Sequence, residues 1–168
     1  MKQENKIIGI MAATAQGVIG YRSVLPWSYP EELEHFRTTT IGHIMIMGRK
    51  TYDVIPKTLS TNRELIVFSR NPHFVSSDTK IVSSLNDFLQ YIQSLNSVKK
   101  LFMIGGANIA HLFLENNLIS YFILTKIHHL YSGDTSIDLK YFKGWDDKIL
   151  KKHPNYTICK LTNIKEFS

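Results

Sequence analysis

The sequence predicts an α/β fold in which a single domain holds a central, mostly parallel sheet flanked by helices. Two observations carry this prediction: apolar runs of strand length recur along the chain, and helical patterns lie between them. The apolar runs occupy residues 7–13, 43–47, 65–69, 101–104, 121–127 and 156–161. This alternation is typical of α/β proteins, because a helix between two strands allows them to run parallel in one sheet.

Two of the helices are predicted from local signals. Apolar residues at 85, 88, 89, 92 and 95 repeat at helical spacing, and Ser84 stands at the position of an N-cap. Pro30, Glu31 and Glu32 form an acidic first turn, which the helix dipole favours.

Length and composition indicate one folded domain spanning residues 1–168. The chain is 43% hydrophobic and 20% charged, as folded proteins are and disordered ones are not. Because Cys159 is the single cysteine, no internal disulfide can form, which fits a reducing compartment such as the cytoplasm.

The formal net charge of +6 leaves three interpretations open. The positive residues can form a basic surface that only contacts solvent, they can attract small anionic ligands, or they can bind nucleic acid. The lysines are scattered pairs such as Lys99-Lys100, and no motif of a nucleic-acid-binding module is found. We therefore expect no nucleic-acid partner.

Secretion and membrane insertion are the two localisation alternatives. Lys6 precedes the apolar run at 7–13, and Ala13-Thr14-Ala15 has the form of a signal-peptidase site. The acidic Glu4 and the shortness of the run argue against a signal peptide. No stretch approaches the roughly 20 apolar residues of a membrane span. We expect a cytoplasmic protein without a membrane partner.

Two apolar runs end in glycine and lead into helix-compatible segments. The first is followed by Gly48 and the second by Gly105-Gly106. Glycine at such a turn allows a phosphate to approach the N–H groups of a helix N-terminus. One turn alone usually only ends a strand, but two match the two phosphates of a dinucleotide. Since the pattern G-x-G-x-x-G is absent, another geometry would have to hold that ligand.

The segment 26–36 combines a carboxylate with apolar residues. Helical spacing places Glu32, Leu33 and Phe36 on one face. Glu32 is either solvated in a first helical turn or buried, and a buried carboxylate needs a partner or a shifted pKa.

Motifs of one enzyme family occur in order along nearly the whole chain. They are Gly17-Val18-Ile19-Gly20, Leu25-Pro26-Trp27, Pro30-Glu31-Glu32-Leu33 with Phe36, Ile46-Met47-Gly48-Arg49-Lys50-Thr51-Tyr52, Arg63, Val67-Phe68-Ser69-Arg70, Ile104-Gly105-Gly106, Thr125 and Gly133-Asp134-Thr135. In this combination the sequence resembles the dihydrofolate reductase family. The resemblance implies the fold of that family, NADPH as cofactor, a monomeric state, and a place in tetrahydrofolate biosynthesis and one-carbon metabolism as an antifolate target.

The resemblance also implies a substrate site. Glu32 would accept hydrogen bonds from the amide-type N–H and the amino group of the pterin ring, and Thr125 would bond both Glu32 and that amino group. Arg63 would bind the α-carboxylate of the glutamate tail of dihydrofolate. The apolar walls would be Ile10, Met11, Ala12, Leu33, Phe36, Ile55, Leu59 and Ile104.

A cofactor site and a mobile loop are implied in the same way. The loop 15–28 would close over the nicotinamide, with Leu25 against the ring and Trp27 anchoring a water. Gly48, Arg49, Lys50, Thr51, Gly105, Gly106 and Ala107 would hold the cofactor phosphates, and Arg49 with Arg70 would meet the adenosine 2′-phosphate. Further cofactor contacts would come from Ala12, Ile19, Gly20, Phe68, Ser69, Ile104, Asn108, Ile109 and Thr135.

The implied reaction reduces 7,8-dihydrofolate to 5,6,7,8-tetrahydrofolate. A hydride would pass from the nicotinamide to C6 of the pterin, and N5 would be protonated. Glu32 would favour that protonation through its charge while water carries the proton, so positioning and electrostatics are the protein's share.

The chain departs from the family pattern at three places. Ala110 stands where a tyrosine is usual, Ile137-Asp138 replaces an aromatic-proline pair, and Met11 replaces a small residue. The missing tyrosine predicts a slower hydride-transfer step, because an aromatic face stabilises a developing cation. The alternative is that a neighbouring side chain such as Tyr21 takes the place of the missing tyrosine, so that Ala110 has no effect on catalysis.

Three rival functions remain open at this point. A related reductase of a pyrimidine in riboflavin synthesis shares the fold, although Pro26-Trp27 and Glu32-Leu33 argue against it. A non-catalytic pteridine-binding paralogue is kept open by Ala110 and Ile137-Asp138, and a nucleic-acid binder is the third. His128-His129 lacks a metal-ligand spacing with cysteine or acidic residues, so no metal site is predicted.

Overall fold

Ten strands form the sheets of the described chain. The computed structural model describes residues 6–20, 22 and 24–164. The strands are β1 (Ile7–Thr14), β2 (Val18–Gly20), β3 (Ile44–Gly48), β4 (Glu64–Phe68), β5 (Thr79–Val82), β6 (Leu101–Gly105), β7 (Ile119–Ile127), β8 (Thr135–Ser136), β9 (Asp146–Lys152) and β10 (Tyr156–Thr162). Eight of them make one sheet in the order β5-β4-β3-β6-β1-β7-β10-β9, while β2 pairs separately with β8.

The large sheet is parallel from β5 to β7 and antiparallel at its other end. Strands β5, β4, β3, β6, β1 and β7 all pair in parallel. Strand β10 runs antiparallel to β7, and β9 runs antiparallel to β10. The predicted mostly parallel α/β architecture is therefore confirmed.

The helices lie between the strands. They are α1 (Pro30–Thr40), α2 (Arg49–Val54), α3 (Lys57–Ser60), α4 (Leu85–Ser94) and α5 (Ala107–Glu115), with a 3₁₀ turn at Leu139–Phe142. The predicted cap of α4 is present, since Ser84 Oγ accepts a 3.1 Å hydrogen bond from the Asp87 N–H. Pro30 occupies the first turn of α1 beside Glu31 and Glu32, as the sequence predicts.

Each predicted apolar run overlaps a strand, and four strands had no prediction. Strand β9 was missed because all seven of its residues are exposed, so no face of it needs apolar side chains. Strands β2, β5 and β8 contain only two to four residues, too few to show a periodicity.

Apolar side chains cover both faces of the central strands. In β3, Met45, Ile46 and Met47 are all fully buried, as expected for a parallel strand covered on both sides. On one face Phe68, Phe88 and Phe113 contact one another, with ring centroids 5.1–5.8 Å apart. The carboxyl ends of β1, β3, β4, β6 and β7 meet at one edge, where open α/β sheets bind ligands.

Candidate active site

A buried carboxylate lies beside the carboxyl-terminal half of β7. Glu32 in the first turn of α1 is 7% exposed and is the only buried carboxylate in the described part of the chain. Thr125 of β7 donates a hydrogen bond from Oγ1 to Glu32 Oε1 at 2.9 Å. Burial raises the pKa of Glu32, and the Thr125 hydrogen bond opposes that rise. Of the two sequence alternatives for Glu32, the buried one is correct.

The predicted apolar wall residues belong to β1, α1, β6 and α3, with Ile55 directly after α2. Ile10 and Ala12 on β1 pack in one cluster with Phe36 of α1 and Ile104 of β6. Phe36 and Ile104 also contact a second cluster that includes Ile55. Leu33 and Leu59 are half-buried on α1 and α3. Met11 is half-buried on β1 but packs against a different core cluster from Ile10 and Ala12, because alternate residues of a strand face opposite sides of the sheet.

Aromatic side chains border the same region. Trp27 is buried, and its Nε1 donor has no hydrogen-bond partner in the described residues. The Trp27 ring lies 5.7 Å from that of Tyr131, whose hydroxyl is 2.8 Å from the Tyr29 hydroxyl. A buried indole donor of this kind needs a polar partner such as a water. Trp27 was predicted from sequence, whereas Tyr29 and Tyr131 carry no motif that would identify them.

Tyr156 is a further polar group that sequence reasoning missed. Its side chain is fully buried on β10, and its hydroxyl has no partner in the described residues. Its pKa is raised by burial and by the negative charges of Glu31 and Glu32, so the hydroxyl lies within electrostatic range of the site. His153 stacks on the Tyr156 ring at 4.3 Å and places Nε2 3.4 Å from Glu31 Oε2.

The two predicted glycine turns lie next to each other. Strands β3 and β6 are neighbours, and Met47 pairs with Gly105. Gly48 is the N-cap residue of α2 and Gly106 that of α5, and neither helix start has a side-chain cap hydrogen bond. A Cβ atom on Gly48 would lie 3.1 Å from the Ile109 side chain, so the first turn is in close contact with α5. The uncapped N–H groups of both turns are thus at one edge.

The predicted cofactor residues around these turns lie in different surroundings. Lys50 and Asn108 are exposed, Thr51, Ala107 and Ile109 are half-buried, and Ile19 and Gly20 belong to β2. Ser69 follows β4 and donates its N–H to the Val82 carbonyl at 2.9 Å. The Phe68 ring packs into the core against Phe88 and Phe113.

Two arginines lie at the carboxyl ends of β3 and β4. Arg49, the first residue of α2, donates from Nε to Asp53 Oδ1 at 2.9 Å. The Arg49 guanidinium carbon lies 3.7 Å from the Phe74 ring centroid. Arg70 is exposed just after β4. Phe74 has no sequence signal that would mark it as part of a site.

The Arg63 side chain is hydrogen-bonded to the C-terminal end of α1. Its Nε donates to Thr40 Oγ1 at 3.0 Å, and its terminal nitrogens donate to the carbonyls of Thr61 and Arg37 at 2.6 and 2.8 Å. Three of the five N–H donors are used in this way. The guanidinium is therefore held in a defined orientation, and two N–H donors remain for a ligand.

The predicted loop 15–28 is tied to the segment 133–137. Tyr21 and Ser23 lie outside the described residues. Strand β2 pairs with β8, where Gly20 pairs with Thr135, and the Asp134 N–H donates to the Gly20 carbonyl at 3.1 Å. Asp134 Oδ2 accepts from the Arg22 N–H at 3.0 Å, which lowers the pKa of Asp134. Leu25 is 43% exposed.

The three departures from the family pattern have defined positions. Ala110 is fully buried on α5, and Met11 packs against the same core cluster. Met11 also lies at the glycine turn, because a Cβ atom on Gly105 would be 2.9 Å from its Cε. Ile137 is buried, and the Asp138 carboxylate accepts from the Lys140 N–H at 3.0 Å. The proposed substitute Tyr21 lies outside the described residues.

The described residues contain neither a metal-ligand cluster nor a membrane-spanning helix. Within residues 6–20, 22 and 24–164, no group of three or more His, Cys, Asp or Glu side chains could hold a metal ion. His128 is hydrogen-bonded to the Pro154 carbonyl and to Thr157 Oγ1. None of the helices in that part of the chain has the length and apolar character needed to cross a membrane.

Fold and site together define a class of protein. A buried carboxylate in an apolar pocket, next to two uncapped glycine turns of a parallel sheet, is typical of an α/β oxidoreductase that uses a dinucleotide. Residues 6–160 match the family model described as dihydrofolate reductase. The chain belongs to the dihydrofolate reductase family.

Individual relatives agree with this assignment. The chain is 33% identical over 170 residues to a dihydrofolate reductase of Lactococcus lactis, covering 95% of this chain and 99% of the relative. A Bacillus subtilis dihydrofolate reductase is 38% identical over 128 residues, covering 74% and 71%. Dihydrofolate reductase from Enterococcus faecalis, solved in complex with NADP(H) and RAB-propyl, has a similar fold with a TM-score of 0.76 at 23% identity, covering 95% of each chain.

Family membership establishes the enzymatic activity. The chain is an oxidoreductase that reduces dihydrofolate with NADPH as its cofactor. The rival interpretations as a pyrimidine reductase, a non-catalytic paralogue or a nucleic-acid binder are therefore not the ones that the comparisons support.

Proposed function

We propose that Glu32 is the residue that orients the pterin ring of dihydrofolate and favours its protonation at N5 during reduction. The observation that carries this proposal is the burial of Glu32 in an apolar pocket, with Thr125 as its hydrogen-bond donor. A carboxylate in low-dielectric surroundings interacts strongly with any donor that replaces water.

The hydrogen bond between Thr125 and Glu32 supports a separate proposed role for each polar atom of the pair. Because Thr125 donates its hydroxyl proton to Glu32 Oε1, the Thr125 oxygen retains lone pairs that can accept from the pterin amino group. Glu32 Oε2 remains to accept from the ring N–H. Such a charge-assisted arrangement sets both the strength and the orientation of binding.

We also propose that Trp27 and Glu32 both contribute to the protonation of N5. The buried Nε1 donor of Trp27 suits a water molecule that carries the proton. Glu32 acts through its negative charge, which stabilises the positive charge that develops on the protonated ring. The apolar walls formed by Ile10, Phe36 and Ile104 keep bulk water away from the reacting atoms.

The glycine edge fits a dinucleotide of the NADPH type. Two neighbouring helix starts without side-chain caps offer N–H groups to phosphates, and the glycines leave room for close approach. When bound, NADPH supplies the hydride for C6. We propose that Gly48, Thr51, Gly105, Gly106 and Ala107 hold the phosphates. Lys50 lies next in the chain to Arg49, and with Arg70 these basic residues would complement the phosphate charge.

Arg63 is proposed to bind the glutamate tail of dihydrofolate. Its three hydrogen bonds to Thr40, Thr61 and Arg37 fix the guanidinium before substrate arrives. Pre-orientation reduces the entropy lost on binding, and a carboxylate matches the two remaining donors.

The domain organisation, oligomeric state, cellular location and partners of the chain are also proposals. We infer that residues 1–168 work as one domain, as a monomer and in the cytoplasm, without a nucleic-acid partner. The single buried Cys159 supports a reducing compartment, and the shared apolar clusters of β1, β3, β6 and β7 support one cooperative domain.

The proposal is tested by following NADPH absorbance with purified protein and dihydrofolate. Wild type should oxidise NADPH only when dihydrofolate is present, and Glu32→Gln should lose most of that rate at neutral pH. The matched control is Glu34→Gln on the same helix, whose exposed carboxylate pairs with Arg37. Equal rates for Glu32→Gln and wild type would contradict the assigned role of Glu32.

A further inference from the structure

The Arg49 guanidinium is held from two directions. Its Nε edge donates to Asp53 Oδ1 at 2.9 Å, one helical turn along α2. Its face lies over the Phe74 ring, with 3.7 Å between the guanidinium carbon and the ring centroid. An exposed arginine side chain otherwise samples many rotamers, so these two contacts restrict Arg49 to one arrangement.

Phe74 is itself anchored by its neighbours. The Tyr52 ring meets the Phe74 ring edge-on at 5.4 Å and 74°. The Tyr52 hydroxyl lies 3.1 Å from Ser76 Oγ, and the Phe74 N–H donates to the Asn71 carbonyl at 3.1 Å. The loop between β4 and β5 is therefore folded onto α2 through its own turn bonds and through Tyr52.

The same loop begins at the second arginine of the proposed phosphate site. Arg70 directly follows Ser69, whose Oγ accepts from the Asn71 N–H at 3.2 Å. The loop that carries Arg70 is thus the loop that places an aromatic ring under Arg49. One loop therefore carries Arg70 and contacts the guanidinium of Arg49.

We propose that Phe74 is a positioning residue for cofactor selectivity, acting through Arg49 to present its terminal N–H groups to the 2′-phosphate of the cofactor. This inference rests on the proposed function of Arg49 and Arg70. Asp53 occupies only the Nε edge, so the four N–H groups of the two terminal nitrogens remain for a phosphate. A guanidinium that is already oriented loses less entropy when it binds.

The test is equilibrium binding measured by calorimetry, which does not depend on turnover. The two probes are adenosine 2′,5′-bisphosphate and adenosine 5′-monophosphate, which differ only in the 2′-phosphate. The variants are Phe74→Leu, which removes the ring, and Phe74→Tyr, which keeps it. Val75→Ala is the matched control, because Val75 is the next residue in the loop and is 81% exposed.

Phe74→Leu should weaken the binding of the bisphosphate by about three- to tenfold, which is the scale of an arginine–aromatic contact. The binding of the monophosphate should weaken by less than about twofold. Phe74→Tyr and Val75→Ala should bind like wild type. In an Arg49→Ala background, Phe74→Leu should have no further effect, since the ring acts through that arginine. Thermal unfolding checks that each variant folds, and Phe74→Met replaces Phe74→Leu if the latter does not.

The outcomes separate this inference from the proposed function. Loss of bisphosphate affinity in Arg49→Ala and Arg70→Ala but not in Phe74→Leu would overturn the role of Phe74 alone. Unchanged affinity in both arginine variants would refute the phosphate site and the role of Phe74 together. Equal weakening of both probes by Phe74→Leu, or a loss that persists without Arg49, would show that Phe74 only supports the loop.

Discussion

Thr125 Oγ1 donates a 2.9 Å hydrogen bond to Glu32 Oε1 between two buried side chains that are 93 residues apart in the sequence. The bond joins the first turn of α1 to the central strand β7. It opposes the rise in the pKa of Glu32 that burial causes. This pair is the centre of the proposed pterin site, and the first two predictions follow from it.

The first prediction is that Glu32→Gln lowers the activity of the protein and raises its stability. Loss of the charge should lower the rate at neutral pH by at least about tenfold, the scale of a charge-assisted hydrogen bond of roughly 1.5–3 kcal/mol. Because the folded-state pKa of Glu32 is raised, the folded protein binds the proton more tightly, and stability falls as pH rises from the unfolded pKa through the higher folded pKa.

The ligand-free Glu32→Gln variant should therefore melt at a higher temperature than wild type at pH 7, with a smaller difference at pH 4. Thermal unfolding at the two pH values measures this, with Glu34→Gln as the control on the exposed face. A lower melting temperature at pH 7 would mean that the carboxylate stabilises the fold. Turnover within about twofold of wild type would mean that its charge is dispensable.

The second prediction concerns Thr125→Val. The valine keeps the shape but removes the donor, so the pKa of Glu32 should rise further above its ordinary value. The titration of the Glu32 carboxyl, followed by ¹³C NMR, should move to higher pH. Thr157→Val, at a half-buried hydroxyl of β10 that contacts His128, should leave the titration unchanged. An unshifted Glu32 titration in Thr125→Val would count against the pairing.

The third prediction is that Arg49 and Arg70 select NADPH over NADH. Arg70→Ala should weaken NADPH much more than NADH, because a guanidinium matches the 2′-phosphate in charge and shape. Added salt should reduce the preference in wild type. Lys99→Ala, which breaks a surface pair with Glu64, is the charge-matched control. A double variant Arg49→Ala, Arg70→Ala that still discriminates like wild type would place the phosphate elsewhere.

The fourth prediction concerns Ala110 and Met11. Since Ala110 is fully buried and Met11 packs against the same cluster, Ala110→Tyr alone should overpack the core by about 1–3 kcal/mol. Combining it with Met11→Ala should recover stability. The double variant should transfer hydride roughly two- to thirtyfold faster, because an aromatic face favours the developing nicotinamide cation. Single-turnover kinetics at saturating NADPH measure the step, and an unchanged rate in a folded double variant would show that Ala110 is neutral.

The fifth prediction is that the folded protein loses stability at acidic pH because His35 becomes protonated. Burial, and secondly the charge of Lys151, lower the pKa of His35, and its Nε2 has no partner in the described residues. The folded protein therefore holds this proton less tightly than the unfolded chain, and stability falls as pH drops below about 6.5. The melting temperature of His35→Leu should fall less between pH 7.5 and pH 5.5 than that of the wild type. The exposed His73→Leu should behave like wild type, and an identical pH dependence in His35→Leu would exclude the effect.

The sequence determined the strands and turns whose signals are local. Apolar runs marked the buried strands, Ser84 marked the start of α4, and Gly48 and Gly105-Gly106 marked the turns at the ligand edge. These features are readable because periodicity, capping and glycine conformation depend on residues within one or two turns of each other.

Only the tertiary structure decided which distant residues meet. Helical spacing placed Glu32 on an apolar face, but its burial depends on α1 packing beside β7, where Thr125 supplies the donor. Likewise no local pattern pointed to Phe74 under Arg49, or to Tyr156 near Glu32. Such contacts arise from strand order and register, and a shift of one residue in register would turn Thr125 to the other face of the sheet. Local periodicity carries no information about that choice, because it is fixed by how whole elements bury their faces together.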